Sequence, residues 1–272
     1  RALAGMAETF PRLNPDVVFC GFDLGAHLAA AITGMHLNIP VAHIQGGEVS
    51  GTIDEILRHA CTKFAHLHFV ATKQSYERVM RLGENPDYIF LVGSPSLDTI
   101  KNISYPDRHE MCNRFGLDKE KKLIIFLQHP VTTEVENIEK DIAESIKALK
   151  RIKGSYSTNI VAIYSNHDAG GRRIISALKQ ARIQISPHIV YEDFLRLLNI
   201  ADVLVGNSST GIHEAPSFGL PTVNIGSRQQ HRERGCNVLD VENNADAIYL
   251  SIEKSLADAD FIRTVKQGKN PY

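Results

Sequence analysis

The chain has 272 residues, a formal net charge of −1 and 43% hydrophobic residues, with charged residues spread throughout. That length can bury one large core or two modest ones, and with no basic stripe and no apolar run of bilayer length it points away from nucleic-acid and membrane partners. Cys20, Cys61, Cys112 and Cys236 are far apart in sequence and form no Cys-x-x-Cys pair, so they read as free thiols of a reducing, cytoplasmic compartment.

Residues 1–13 place Leu3, Met6, Phe10 and Leu13 at helical spacing and stop at Asn14-Pro15. The chain opens inside this amphipathic pattern and closes at Pro271-Tyr272, so further segments of the natural protein are expected beyond both ends. Strands predicted at 16–20, 39–44, 67–71 and 87–92 alternate with helices at 25–37, from 51 onward and at 73–82, which is the order of a parallel sheet. Thr52 and Glu55 have capping-box spacing, and Asp54 and Arg58 lie one turn apart on one helix face. Gly93-Ser94-Pro95 breaks the pattern, and the next fifteen or so residues, with Pro106 and several charges, read as a connection. A second unit follows, with strands at 122–127, 159–164, 203–205 and 222–225 and a short extended piece at 188–191. Its helices are predicted at 137–150, 172–181, 193–199, in a short piece starting near Ser209, and at 245–256. The fold class is therefore α/β with two doubly wound domains, 1–105 and 106–272. Their polar loops fall at strand carboxyl ends, where such sheets bind ligands.

Six of those loops carry candidate chemistry. In the second half, Gly206, Asn207, Ser208, Ser209 and Gly211 form a small-residue turn between a strand and a helix, and Glu214 follows one turn later. The turn is either an ordinary capped turn or a diphosphate cradle, with helix N–H groups and serine hydroxyls as donors and Glu214 accepting from sugar hydroxyls. His129, Asn166, Asp168 and Arg228 stand at the ends of neighbouring strands. Singly they read as caps and surface groups, but together they favour a nucleotide-diphosphate site. In the first half Asp23, Glu48 and Asp54 supply carboxylates at one sheet edge, suited to proton transfer near neutral pH. Asp54 reads equally as a helix-start acid paired with Arg58, and Glu48 as a loop acid in water. His43, His59, His66 and His68 lack a His-x-x-x-His pair with a supporting acid, so neither a metal nor another cofactor is expected.

The run His43-Ile44-Gln45-Gly46-Gly47-Glu48-Val49-Ser50-Gly51-Thr52-Ile53-Asp54 is one of several long, ordered motifs. The others are Arg58-His59-Ala60, Gln128-His129-Pro130-Val131-Thr132-Thr133, Asn166 with Asp168-Ala169-Gly170, and Gly206-Asn207-Ser208-Ser209 with Gly211 and Glu214. Together they resemble the hydrolysing UDP-N-acetylglucosamine 2-epimerases of the sialic-acid pathway type. The resemblance implies a glycosyltransferase-B-like pair of Rossmann-like domains, the first lacking its opening strands here, with the ligand in the interdomain cleft. It further implies a UDP-sugar substrate, a homo-oligomer (dimer or tetramer), and conversion of UDP-N-acetylglucosamine and water to N-acetylmannosamine and UDP. Carried over by position, His129, Asn166, Asp168, Ser208, Ser209, Glu214 and Arg228 take the UDP. Asp23, Gln45 and Asp54 take the chemistry, with Glu48 and Arg58 beside the substrate and His129 counted with the catalytic groups.

Three features depart from the family pattern. Phe22-Asp23-Leu24 stands where the family has Gly-Asp-Arg, Gln45 stands where it has Glu, and its glycine-rich opening loop precedes Arg1. An amide cannot exchange a proton as a carboxylate does. Three readings follow: Asp23 or Asp54 is the base while Gln45 orients, the substrate differs (for example a diacetamido sugar nucleotide), or the chain only binds. A non-hydrolysing epimerase is a further enzymatic alternative.

Overall fold

Short apolar runs between glycine-bearing loops form parallel strands throughout. In the computed structural model, which describes residues 1–21, 25–166 and 168–272, they make two sheets. The candidate Asp23 lies outside the described residues. The chain divides into Arg1–Pro95 with Gln230–Arg232 and Tyr272 as one unit, and Ser96–Gln229 with Glu233–Pro271 as the other.

The first unit holds strands β1 (Val18–Gly21), β2 (Val41–Ile44), β3 (Leu67–Val70) and β4 (Ile89–Leu91) in that spatial order, all parallel. Helices α1 (Ala2–Leu13), α2 (Gly25–His36), α3 (Asp54–Phe64) and α4 (Lys73–Arg81) connect or flank them. Val18, Cys20, Ala30, Ala31, Val41 and Cys61 form its main core. Cys20 and Cys61 meet there as thiols, and the hydrogen bond between them together with burial pushes the Cys20 thiol's pKa up. The expected capping box is not formed. Helix α3 starts at Asp54, later than predicted, so Thr52 precedes the N-cap residue Ile53. Thr52 Oγ1 accepts from the Asp54 N–H at 3.3 Å, and Glu55 accepts from the Ser50 N–H at 2.9 Å.

The second unit begins with two helices where a connection was expected, α5 (Pro95–Asn102) and α6 (Arg108–Phe115). Ile100, Met111 and Cys112 bury themselves in its core, which is why the division falls near Pro95 rather than at 105. Strands β5 (Lys122–Leu127), β6 (Thr158–Ile163), β7 (Gln184–Ser186), β8 (Val203–Gly206), β9 (Thr222–Ile225) and β10 (Val238–Val241) follow. The spatial order is β10-β9-β8-β5-β6-β7, all parallel. The chain winds outward in opposite directions from β5, so the topological switch point lies between β5 and β8, the place where such sheets take ligands. Helices α7 (Ile138–Ser155), α8 (Gly171–Gln180), α9 (Tyr191–Ile200), α10 (Thr210–His213), α11 (Ala245–Ala257) and α12 (Ala259–Gln267) complete it. The extended piece expected at 188–191 is displaced: the strand pairing with β6 ends before Pro187, and Tyr191 already opens α9. Strand β10 and helix α12 were not anticipated. Among the described residues no helix is long and apolar enough to cross a membrane.

Candidate functional site

At the switch point Leu127, the last residue of β5, pairs with Gly206, the last of β8. Gly206 has φ +138°, and a Cβ there would stand 2.0 Å from the Leu127 carbonyl oxygen, so the two strand ends close only around glycine. The turn beyond is held by Asn207, which is 2% exposed. Its Oδ1 accepts from the His129 N–H at 2.7 Å, and its Nδ2 donates to the His129 carbonyl at 2.9 Å. Arg228 Nη1 and Gln229 Nε2 donate to the Asn207 carbonyl at 3.3 and 2.9 Å. One asparagine therefore joins the loops after β5, β8 and β9.

The His129 ring is defined as well. Its Nδ1 accepts from the Asn166 N–H at 3.1 Å, which leaves the ring proton on Nε2. Burial first, and the Arg228 charge second, lower its pKa from 6.5 to about 3. His129 is thus a neutral hydrogen-bond donor at physiological pH. Asn166 Nδ2 donates to the Asp168 carboxylate beside it. A cavity of about 670 Å³ adjoins this loop, walled by Leu127, Ile163, Ser165, Asn166, Tyr191 and Phe194 among others. Burial first, and the charge of Glu214 second, raise the pKa of the Tyr191 phenol on the cavity wall.

The helix expected near Ser209 is only the four-residue α10, and Ser209 makes no side-chain cap. Ser208 Oγ accepts from the Thr210 N–H at 3.3 Å, and Glu214 ends the helix. A helix so short adds little dipole, so an anion here would rely on local N–H and hydroxyl donors and on Arg228 and His129. Gly211 sits on this turn against Thr222 of β9.

In the first unit the loop after β2 is locked by charge. Gln45 is 5% exposed and adopts φ +55°, an uncommon conformation for a residue with a side chain. Its N–H donates to the Phe69 carbonyl at 2.8 Å, and its Nε2 donates to Glu48 Oε1 and Ser94 Oγ, both at 3.2 Å. Gly47 has φ +79°, and a Cβ there would lie 2.4 Å from the Ser75 carbonyl oxygen, so the loop sits directly on α4. Arg78 donates to the Gly47 carbonyl. Glu48 is not a loop acid in water. It is 5% exposed, and its Oε2 meets Arg232 Nη1 at 3.1 Å. Arg58, 2% exposed, donates to the Glu48 carbonyl at 3.0 Å, and Asp54 opens α3 one turn ahead of it.

Arg232, Ser94 and Gln229 hold the candidate residues Glu48, Gln45 and Asn207 in place, a support that the sequence reading missed. The dense charge of His231-Arg232-Glu233-Arg234 after a strand was the available signal, but nothing in it indicates Glu48 as the counterpart. The histidine cluster is structural. His43 and His68 pair across β2 and β3, and His43 Nδ1 lies 3.1 Å from Thr62 Oγ1, which itself donates to the Arg58 carbonyl. Burial, reinforced by His68 and Arg58, lowers the His43 pKa to about 3. Among the described residues no group of three or more His, Cys, Asp or Glu could hold a metal ion.

A parallel sheet of four strands and a doubly wound sheet of six with a donor-rich switch point define an α/β protein of Rossmann-like units. The UDP-N-acetylglucosamine 2-epimerase family matches residues 1–272, and the chain belongs to that family. It is 42% identical over 260 residues to a hydrolysing UDP-N,N'-diacetylbacillosamine 2-epimerase of Legionella pneumophila, covering 93% of this chain and 67% of that one. It is 36% identical over 246 residues to a UDP-N-acetylglucosamine 2-epimerase of Neisseria meningitidis, covering 89% of this chain and 64% of the relative. The chain thus spans about two thirds of these relatives. A Neisseria meningitidis UDP-GlcNAc 2-epimerase solved with UDP-GlcNAc superposes on the whole chain and on 76% of its own length, with TM-score 0.85 and 19% identity. That likeness establishes the glycosyltransferase-B-like fold.

Proposed function

We propose that the chain carries a hydrolysing sugar-nucleotide 2-epimerase, acting on UDP-N-acetylglucosamine or a UDP-diacetamido sugar with water. The products are UDP and N-acetylmannosamine or its analogue. The carrying observation is the second-unit loop cluster, where a neutral His129 Nε2–H and the Arg228 guanidinium are fixed around Asn207 at the switch point. One positive charge with several neutral donors suits a diphosphate. The adjacent cavity takes the base, and Glu214 accepts from the ribose. Ser208, Ser209 and Gly211 complete the cradle, with Asn166 and Asp168 alongside.

The reaction follows from charge development. A carboxylate, Asp54 or Asp23, takes the C2 proton; the C1–O bond breaks and its electrons leave with UDP, giving a 2-acetamidoglucal. Water then adds its hydroxyl at C1 while a proton returns to C2 on the opposite face. Negative charge grows on the departing diphosphate, where Arg228 and His129 stabilise it. A homo-oligomeric, cytoplasmic enzyme of sialic-acid or related sugar synthesis belongs to this reading.

Incubation with UDP-N-acetylglucosamine and with a UDP-diacetamido sugar tests it by product analysis. Free UDP with the epimerised sugar is expected. An intact epimerised nucleotide would mean a non-hydrolysing enzyme. Binding without turnover would mean a UDP-sugar binder.

A further inference from the structure

We infer that the Arg232–Glu48 ion pair fixes which atom of Gln45 meets the ligand, making position 45 an obligate hydrogen-bond acceptor in place of a proton-transfer group. An amide has a donor end and an acceptor end, and density alone rarely distinguishes them; the surroundings decide. Glu48 Oε1 lies 3.2 Å from Gln45 Nε2, and Glu48 Oε2 lies 3.1 Å from Arg232 Nη1. Both members of the ion pair are 5% exposed, and a carboxylate that meets a guanidinium is acceptor-only. Turning the amide over would put its oxygen against a buried carboxylate oxygen. Nε2 is therefore held on Glu48 and Ser94, and the carbonyl Oε1 is the end left to a ligand.

The other cations around this loop act in the same direction. Arg58 on α3 donates to the Glu48 carbonyl and Arg78 on α4 to the Gly47 carbonyl, so the loop backbone is fixed at both residues. Arg232 and Glu48 are positioning residues acting through Gln45. On the epimerase reading, the group that Gln45 meets is a donor, a sugar hydroxyl or an acetamido N–H. The inference rests on that reading for the identity of the donor, while the orientation of the amide stands independently of it.

Glu48→Gln, Arg232→Lys and Arg232→Met separate the possibilities, with UDP release followed against pH and the Gln45 side-chain amide followed by ¹⁵N NMR. Glu48→Gln removes the charge without changing shape. It is expected to lower kcat about tenfold at every pH, with UDP affinity altered less than about twofold, and to let the Gln45 amide protons exchange faster. Arg232→Lys should keep the wild-type profile. Arg232→Met removes the guanidinium that holds Glu48 and should lower kcat in the same direction as Glu48→Gln. If Arg232→Met does not fold, the Glu48→Gln/Arg232→Met double variant should reproduce Glu48→Gln. Unchanged kcat and unchanged Gln45 amide exchange in Glu48→Gln would overturn the inference. Wild-type protein that releases no UDP would overturn the epimerase reading instead, with the NMR comparison still deciding the orientation of Gln45.

Discussion

The two units fix their polar loops by opposite means. In the second, Asn207 holds His129 through main-chain N–H and C=O groups, and the histidine itself is neutral. In the first, Gln45 is held by a buried carboxylate that is matched by a buried guanidinium. A neutral bracket keeps its geometry over a wide pH range and sets the Arg228 guanidinium beside the switch-point turn. A charged bracket imposes polarity on whatever it touches. The loops of the second unit thus provide shape and donors, while the loop after β2 provides a defined acceptor.

The sharpest break of this contrast is removal of one buried charge. Arg232→Met should cost about 3–5 kcal/mol of stability in urea unfolding, and the neutral Glu48→Gln/Arg232→Met pair should recover most of it, because it removes the buried carboxylate's charge together with the guanidinium. Asn207→Ala should cost about 2–3 kcal/mol in the same measurement, since it leaves the His129 N–H and carbonyl without their partner. Arg228→Ala should leave folding nearly intact and weaken UDP binding about tenfold to a hundredfold by calorimetry, the loss of one charge-assisted contact. Unchanged affinity would remove Arg228 from the site.

The smallest effect is on pH. His43 and His129 have folded pKa values near 3, below the 6.5 of an exposed histidine. The unfolded chain therefore binds more protons between these values, and the stability that each neutral ring contributes is present above about pH 6.5 and lost as pH falls toward 3. Unfolding midpoints should drop from pH 7 to pH 5, and the drop should shrink in His43→Gln and in His129→Gln. A drop of the same size in both variants would show that other groups carry the acid sensitivity.

Strands such as Lys122–Leu127 and Thr222–Ile225 were legible because an apolar run bounded by polar turns has one interpretation in a parallel sheet. The glycine-bearing loops were legible for the same reason, and with them most of the second-unit cluster. Helix α6 was hidden by its charged composition, although Asp107 caps it and Gly116 ends it in a left-handed turn. Strand β10 was hidden because it follows a polar, charged stretch. The Glu48–Arg232 pair joins residues 184 positions apart, and local periodicity carries no trace of such a contact. The ring tautomer of His129 depends likewise on a main-chain N–H from another loop.

Residues 230–232 belong to the first unit although the sequence on either side belongs to the second. The amino-terminal half is therefore not a self-sufficient module: cut after Pro95, it would retain Glu48 while losing its guanidinium. A chimaera that grafts the downstream half of a relative onto this chain must bring a cation to the same spot, so recombination between such genes is constrained by one arginine far from the crossover.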